Sequence, residues 1–503
     1  MLRRQFIHRA TVAMVAGAAT AAAPKLAQAL DTWKEAFAAA LEREPWLLAF
    51  RSVEQDAYKS EAALEGQVPE GLVGTLFRNG PARHEIGPFR YHHWFDGDGM
   101  LQAWRIGPGG IRHEARMIAT RKYLAEQDAG RALYRGFATV PPNPLPVTSP
   151  DLINVANISV LPHHGKLYAL WEAGSPWSMN PETLATEGLH SFSTETKGLP
   201  FSAHPRVEPD GTLWNFGYVS SARKLVLWHV SRAGKLVKVG LVDCDPISAP
   251  HDFVVTEHHL VVLIPPLHFE PEGPGAFLDA HKWHPDRPTR VLVVDKNDFS
   301  NYHYLELPAQ WIFHYGNAWE DADGIIRFDA ARAPDPAAML TSFRTIMRGE
   351  VSDGARESRH YQYRIDLKRG VVTETPLLGA HRASEFPVID PRVNGRRYSK
   401  LVMLTGQGDT DHSMLSEVSR FDLDSGRLDT FRYPEGVIPE EHVYVPEPHS
   451  LPEQGGWIVG SALNYRKERS ELRIFRAEAL AEGPLVTATL PYALPLGLHA
   501  KFV

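Results

Sequence analysis

The chain has 503 residues, of which 43% are hydrophobic and 22% charged, and a formal net charge of −7. This is the composition of a folded protein with an ample core, and the acidic balance argues against nucleic acid as a partner, because phosphate binding needs a basic face. A single cysteine, Cys244, excludes an internal disulfide framework and any CxxC metal or redox site. That leaves 24 histidines as the residue type in which to look for chemistry.

In chain order, Met1 to Arg9 is basic and contains the pair Arg3-Arg4 followed by Gln5, Phe6 and Ile7. An uncharged, alanine-rich stretch from Thr11 to Ala23 follows, and Ala27-Gln28-Ala29 supplies a small-x-small cleavage pattern. So short an apolar run cannot span a bilayer and reads as a signal peptide. The arginine pair points to the twin-arginine route, which exports folded proteins. The expected organisation is a signal over residues 1–29, cut near Ala29, then a single domain over 30–503 that ends in the periplasm. Removing the signal takes away four basic and no acidic side chains, so the mature chain carries −11.

Trp33, Phe37 and Leu41 recur at helical spacing and predict a helix over Asp31–Glu44. Beyond Pro69 the pattern changes to short apolar or alternating runs, such as 166–171, 213–218, 260–264, 291–294, 361–365, 417–421 and 457–460. Between such runs lie turn glycines at 110, 165, 211, 234, 324, 370, 426, 455 and 456. Many antiparallel hairpins without βαβ alternation predict one large all-β body, a propeller or a big barrel. No strict repeat of the WD or kelch kind is present.

His204, His251, His314 and His499 stand out by context, but their gaps of 47, 63 and 185 residues match no compact metal-binding spacing. By spacing alone, the pairs His92-His93, His163-His164 and His258-His259 compete equally well. The acidic, glycine-rich run Asp96-Gly97-Asp98-Gly99 has two carboxylates and no third oxygen ligand at loop spacing, so it reads as a structural turn in preference to a calcium or magnesium site.

Longer motifs decide among the histidines. Phe77-Arg78-Asn79-Gly80-Pro81, then Tyr91-His92-His93-Trp94-Phe95-Asp96-Gly97-Asp98-Gly99-Met100-Leu101, and Glu385-Phe386-Pro387-Val388-Ile389-Asp390-Pro391 resemble signatures of the carotenoid cleavage oxygenases, with likeness running from about Ala62 to the last residue. The resemblance implies a seven-bladed β-propeller with a covering dome of loops and short helices. It implies one Fe(2+) per chain, held by His204, His251, His314 and His499 on four inner strands. It also implies carboxylates behind three of these ligands: Glu172 behind His251, Glu385 behind His314 and Glu441 behind His499. His204 is left without one. Four neutral imidazoles suit iron and leave room for dioxygen, and a carboxylate on the second ring nitrogen fixes the tautomer.

By the same resemblance, Trp171, Phe313 and Ile158 are the substrate-tunnel candidates, although in a regular strand Trp171 and Phe313 would point away from their site neighbours. Ile158 occupies a place where threonine is common. Bacterial relatives that cleave phenolic stilbenes carry lysine where this chain has Trp171, which favours an apolar polyene. The expected activity is therefore cleavage of a conjugated C=C bond of a carotenoid or apocarotenoid by O2, giving two carbonyl products. The alternatives are a stilbenoid-cleaving dioxygenase, a non-catalytic pigment-binding propeller and, more distantly, an isomerase. A lipophilic substrate raises the prospect of peripheral membrane contact through the apolar stretches 137–152 and 264–277. Oligomeric state is not legible.

Overall fold

In a computed structural model, which describes residues 23–350, 358–379, 382–408, 410 and 412–503, seven antiparallel sheets of four or five strands are arranged as the blades of a propeller. Central strands such as Leu213–Val219 and Val437–Val445 are buried along their whole length, because each blade packs both faces against its neighbours. Outer strands such as Val371–Pro376 alternate between exposed and half-buried positions, as a solvent-washed edge requires. Tight turns join them. At one of these, Gly211 takes a φ of 87°, open to glycine at little cost, while Asp210 Oδ1 accepts the Thr212 amide at 2.8 Å.

The ring is locked by both ends of the described chain. Ala57–Glu61 pairs with Gly110–Met117 at the outer edge of the first blade, whereas Ala63–Gly66 pairs with Val486–Thr489 at the outer edge of the last. The C-terminal strand His499–Phe502 returns to the first blade as its innermost strand, pairing Asn79 with His499 and Leu76 with Phe502. Trp104, Trp457, Val459 and Ile474 fill the seam between these two blades. The returning C-terminal strand covers the inner edge of the first blade, and the chain segment 57–66 adds the outermost strand to both blades.

The dome begins with a helix over Ala23–Leu41, whose side chains are described from Thr32 onward. It ends before the expected Glu44, because the amides of Arg43 and Glu44 both turn back to the Ala40 carbonyl and Pro45 disfavours helix at the residue before it. Trp33 stacks on His92 with ring centroids 4.1 Å apart, and the Arg90 guanidinium lies 3.5 Å from the Phe37 ring centre. Trp46, Leu48 and Phe50 join Trp94, Phe343 and Met347 in the largest apolar cluster. The stretches 137–152 and 264–277 are mostly packed: Ile264 and Leu267 are buried, Phe137 meets Phe277, and Leu145 is the large apolar side chain left exposed. Among the described residues no helix is long and apolar enough to cross a membrane. The twin-arginine segment lies outside the described residues.

Candidate metal centre and cavity

Each blade contributes one of the seven residues. Glu172 follows Lys166–Leu170 in the second blade, and His204 precedes Arg206–Val207 in the third. His251 precedes Val254–Val255 in the fourth, and His314 lies within Trp311–Glu320 of the fifth. Glu385 is in Ala383–Val388, Glu441 in Val437–Val445, and His499 opens the C-terminal strand. Two of the four histidines thus sit in segments leading into inner strands instead of on the strands themselves, and Glu172 lies beyond the second strand of its blade. Loop ends at a ring's axis converge as readily as strands do.

The four imidazoles meet at the axis, with one ring nitrogen from each within 4.8 Å of the others. His204 Nε2 lies 2.9 Å from His251 Nε2, and His251 Nε2 lies 3.3 Å from His314 Nε2. Behind them, His314 Nδ1 is 2.6 Å from Glu385 Oε2 and His499 Nδ1 is 3.0 Å from Glu441 Oε1. His251 Nδ1 is 2.7 Å from Glu172 Oε1, a close contact that lacks the alignment of a full hydrogen bond. Among the described residues no carboxylate pairs with the His204 ring. Burial and the neighbouring imidazoles push His204 well below its usual pKa. Burial takes His499 down to about 4, against the pull of Glu441. Burial also opposes protonation of His314, but the charge and hydrogen bond of Glu385 outweigh it and raise that group. For Glu441 burial favours the neutral acid, yet the charge and hydrogen bond of His499 hold it at about 2. Tautomers pinned by Nδ1–H leave Nε2 lone pairs aimed at one another, an arrangement that a cation resolves. This donor set fits a borderline transition metal.

Irregular strands make the site possible. Trp311–Glu320 shifts register between Ile312 and Tyr315, so the consecutive residues Phe313 and His314 both face the cavity. Ala383–Val388 shifts after Glu385, where Phe386 takes a φ of 55°, and both of these residues line the same space. Val437–Val445 shifts between Pro439 and His442, which turns Glu440 and Glu441 inward together. A bulge re-aims a side chain that regular alternation would point away.

Sequence reasoning missed the residues that hold these segments in place. Arg206 donates to the Phe253 carbonyl at 2.8 Å, the Gly316 carbonyl at 3.0 Å and Asp252 Oδ2 at 2.6 Å, tying together the segments of three histidines. Asp252 Oδ2 also accepts the Tyr315 amide at 3.0 Å. Arg78, fully buried, donates to the Leu498 carbonyl at 3.0 Å and to the Glu441 carbonyl. Glu440 accepts from the Gly497 amide and the Ser461 hydroxyl and shares the cavity wall. Its neighbour pattern Glu-Glu at a bulge was the signal, invisible without the register.

The cavity spans about 880 Å³ including its mouth. Trp94, Phe95, Ile158, Phe313, Phe343, Phe386, Leu404, Leu415 and Leu498 give it an apolar wall, and among the described residues that line it there is no lysine, arginine or tyrosine. Ile158 sits against the centre, its carbonyl accepting the His499 amide at 3.3 Å. Trp171 does not line this space; it is buried in the main apolar cluster with Tyr168 and Leu170, since no bulge turns it inward.

One of each competing pair is held within the fold: His93 Nε2 by the Met339 carbonyl, His163 by the Gly211 carbonyl, and His259 by Glu320. Asp96 accepts from the amides of Phe137 and Ala138 and from the Thr139 hydroxyl, and Asp98 pairs with Lys122. These carboxylates have protein donors and build a turn.

Residues 50–503 match the family model described as RPE65, retinal pigment epithelial membrane protein. The apocarotenoid-15,15'-oxygenase of Synechocystis is 29% identical over 91% of this chain and 96% of its own length. An isoeugenol monooxygenase of Pseudomonas putida is 26% identical over 87% of this chain and 93% of its own. The crystal structure of cobalt-substituted Synechocystis apocarotenoid oxygenase superposes with a TM-score of 0.82 at 28% identity, covering 91% of this chain and 98% of that one.

Proposed function

The chain belongs to the RPE65 and carotenoid cleavage oxygenase family, and from that premise we propose that it is an Fe(II)-dependent dioxygenase that splits a conjugated C=C bond of a carotenoid or apocarotenoid with O2 into two carbonyl compounds. The observation that carries this reading is the convergence of four imidazoles on one point, with His251, His314 and His499 lining an apolar cavity. His204, His251, His314 and His499 would hold the iron, whose chemistry is to bind and activate O2 beside the alkene. The protein's part is positioning. Glu172, Glu385 and Glu441 fix the ring tautomers, and Arg206 and Arg78 hold the segments that carry the ligands. Phe95, Phe313, Phe343 and Phe386 give a polyene an apolar bed and exclude water. No general base or nucleophile is needed for this reaction.

A second reading has its own support. Ser413 Oγ and Trp94 Nε1 are buried in the wall without a hydrogen-bond partner in the protein, and two such groups would welcome an oxygen at one end of a substrate, including a phenol. Incubation of iron-loaded protein with a carotenoid, an apocarotenal and a hydroxystilbene, followed by chromatography of the aldehydes, tests the choice. Cleavage of the apocarotenal is expected; stilbene cleavage with both polyenes untouched would transfer the assignment to phenolic alkenes. We also propose export by the twin-arginine route with a cut near Ala29, which would leave Trp33, Phe37 and the rest of the packed helix on the mature chain. Mass spectrometry of the periplasmic fraction checks it.

A further inference from the structure

A second cluster of ligand-type side chains lies on the outer surface of the fold. Leu267–Phe269 and His281–Trp283 form a short antiparallel hairpin with His268 opposite Lys282. Alternation divides it into two faces. Leu267 and Trp283 turn inward to a cluster with Phe137, Trp311, Met339 and Phe313, the last of which also lines the central cavity. On the opposite face stand His268, Glu270, Lys282 and His284.

Three of these converge. His268, Glu270 and His284 each offer a ligand atom, and these atoms lie within 4.8 Å of one another. His284 Nε2 is 2.8 Å from Glu270 Oε1, and the His268 and His284 rings are 4.7 Å apart at an interplanar angle of 30°. The backbone on both flanks is fixed, with the His284 amide bonded to the Pro266 carbonyl at 2.9 Å and the Glu270 amide to the Ala280 carbonyl at 2.6 Å. The nearest cation, Lys282, is held by Glu272 at 2.6 Å and stands 3.9 Å from Glu270 Oε2, so the inner carboxylate oxygen is left to the histidines. All three groups are half-buried, open enough for an ion to enter.

We propose that His268, Glu270 and His284 form a second metal site, distinct from the four-histidine centre, that takes a divalent transition-metal ion of the zinc class. Two imidazoles and one carboxylate are a preferred set for zinc, and ligand atoms at ~2.0–2.2 Å from the ion would stand about 3.3 Å apart in a tetrahedron, within reach of small side-chain rotations from the present spacing. A carboxylate and two imidazoles leave such an ion a single net positive charge, and the fourth position faces solvent. Bound there, the ion clips the hairpin whose inner face backs Phe313.

The test uses iron-loaded protein dialysed against micromolar Zn2+, with both metals counted per chain and the melting temperature recorded. One zinc taken up without loss of iron, and a higher melting temperature, are expected. A His268→Ala/His284→Ala variant should keep its iron and lose both the zinc and the thermal shift. Glu270→Gln, which preserves the shape, should weaken zinc binding at least ~10-fold. Zinc uptake matched by iron loss would place the ion at the central site and overturn the proposal. So would no uptake, or equal uptake by the double variant. Because iron is counted separately, none of these results bears on the reading of the four-histidine centre.

Discussion

At the axis of the ring, four histidines bring one nitrogen each within 4.8 Å of the others, and His204, His251 and His314 meet through Nε2 contacts of 2.9 and 3.3 Å. On the first blade and its flanking helix, a more deeply buried set behaves differently. Lys122 Nζ lies 3.0 Å from Asp98, 2.8 Å from Glu126 and 2.7 Å from the Tyr91 hydroxyl, while Glu126 also accepts the Leu133 amide at 2.8 Å. Each of these groups has a partner inside the chain. At the axis, Glu385 and Glu441 satisfy the outer nitrogens of His314 and His499, and the inner nitrogens meet only one another. A buried group that lacks its partner is expensive, so the difference separates a structural knot from a place built for a ligand. It also explains why Asp96-Gly97-Asp98-Gly99, the more metal-like run in the sequence, is the one whose groups are already satisfied.

The largest expected effects fall on the axis. His251→Ala or His314→Ala should each abolish iron binding and turnover, measured as metal per chain and aldehyde formed, while far-ultraviolet circular dichroism stays native. Full activity with iron retained in either would end the four-ligand reading. Truncation sharpens the same point. Removing 499–503 takes away His499 and the innermost strand of the first blade, and should eliminate iron and activity together and lower the melting temperature. Removing only Phe502 and Val503 should leave the ligand, at the loss of the paired hydrogen bonds between Val503 and Thr75. A terminus frays unless tied down; here metal, strand pairing and Glu441 do the tying.

The knot should answer in stability alone. Lys122→Met strands Asp98 and Glu126 in a dry interior, and removing one partner of a buried ion pair typically costs about 3–5 kcal/mol. Denaturant unfolding should show that loss while the surviving folded protein binds iron normally. Loss of metal at native temperature would mean that the two clusters are coupled.

How far the centre is visible in the sequence follows from what each residue needs. The hairpins are legible because turn glycines such as Gly165 and Gly426 take positive φ and separate apolar runs of strand length. The four histidines are not legible from spacing, since a propeller brings together residues from separate blades and no local period records it. Motif likeness is needed to choose them over His93 or His259. The helix boundary is misplaced by pattern because its start lacks a capping signal. Arg206 escapes notice because its partners are backbone carbonyls of Phe253, Tyr315 and Gly316, which no side-chain pattern announces.

A smaller effect separates a carboxylate that orients a ligand from one that holds the wall. Glu385→Gln removes the charge 2.6 Å from His314 Nδ1 and should weaken iron binding or turnover by ~10–100-fold, as outer partners of metal ligands generally do, with the fold intact.

The smallest effect belongs to Glu440→Gln, one residue from Glu441 yet facing different partners. Its Oε1 accepts the Gly497 amide, its Oε2 accepts the Ser461 hydroxyl, and the Arg78 Nε lies 3.6 Å away. Glutamine keeps one acceptor for Gly497, and the Ser461 hydroxyl can rotate to accept from the new amide. What disappears is the charge beside Arg78, a loss of about 1–3 kcal/mol at a buried charged hydrogen-bonding group. Among the described residues no ligand imidazole pairs with the Glu440 carboxylate, and His442 meets only its backbone carbonyl, at 2.7 Å, so iron content and the iron dissociation constant should match those of the unaltered protein while the unfolding midpoint falls. If instead Glu440→Gln releases iron as readily as Glu385→Gln, contact with a histidine Nδ1 is not what the carboxylates contribute, and the distinction between the satisfied wall and the unsatisfied axis has to be redrawn.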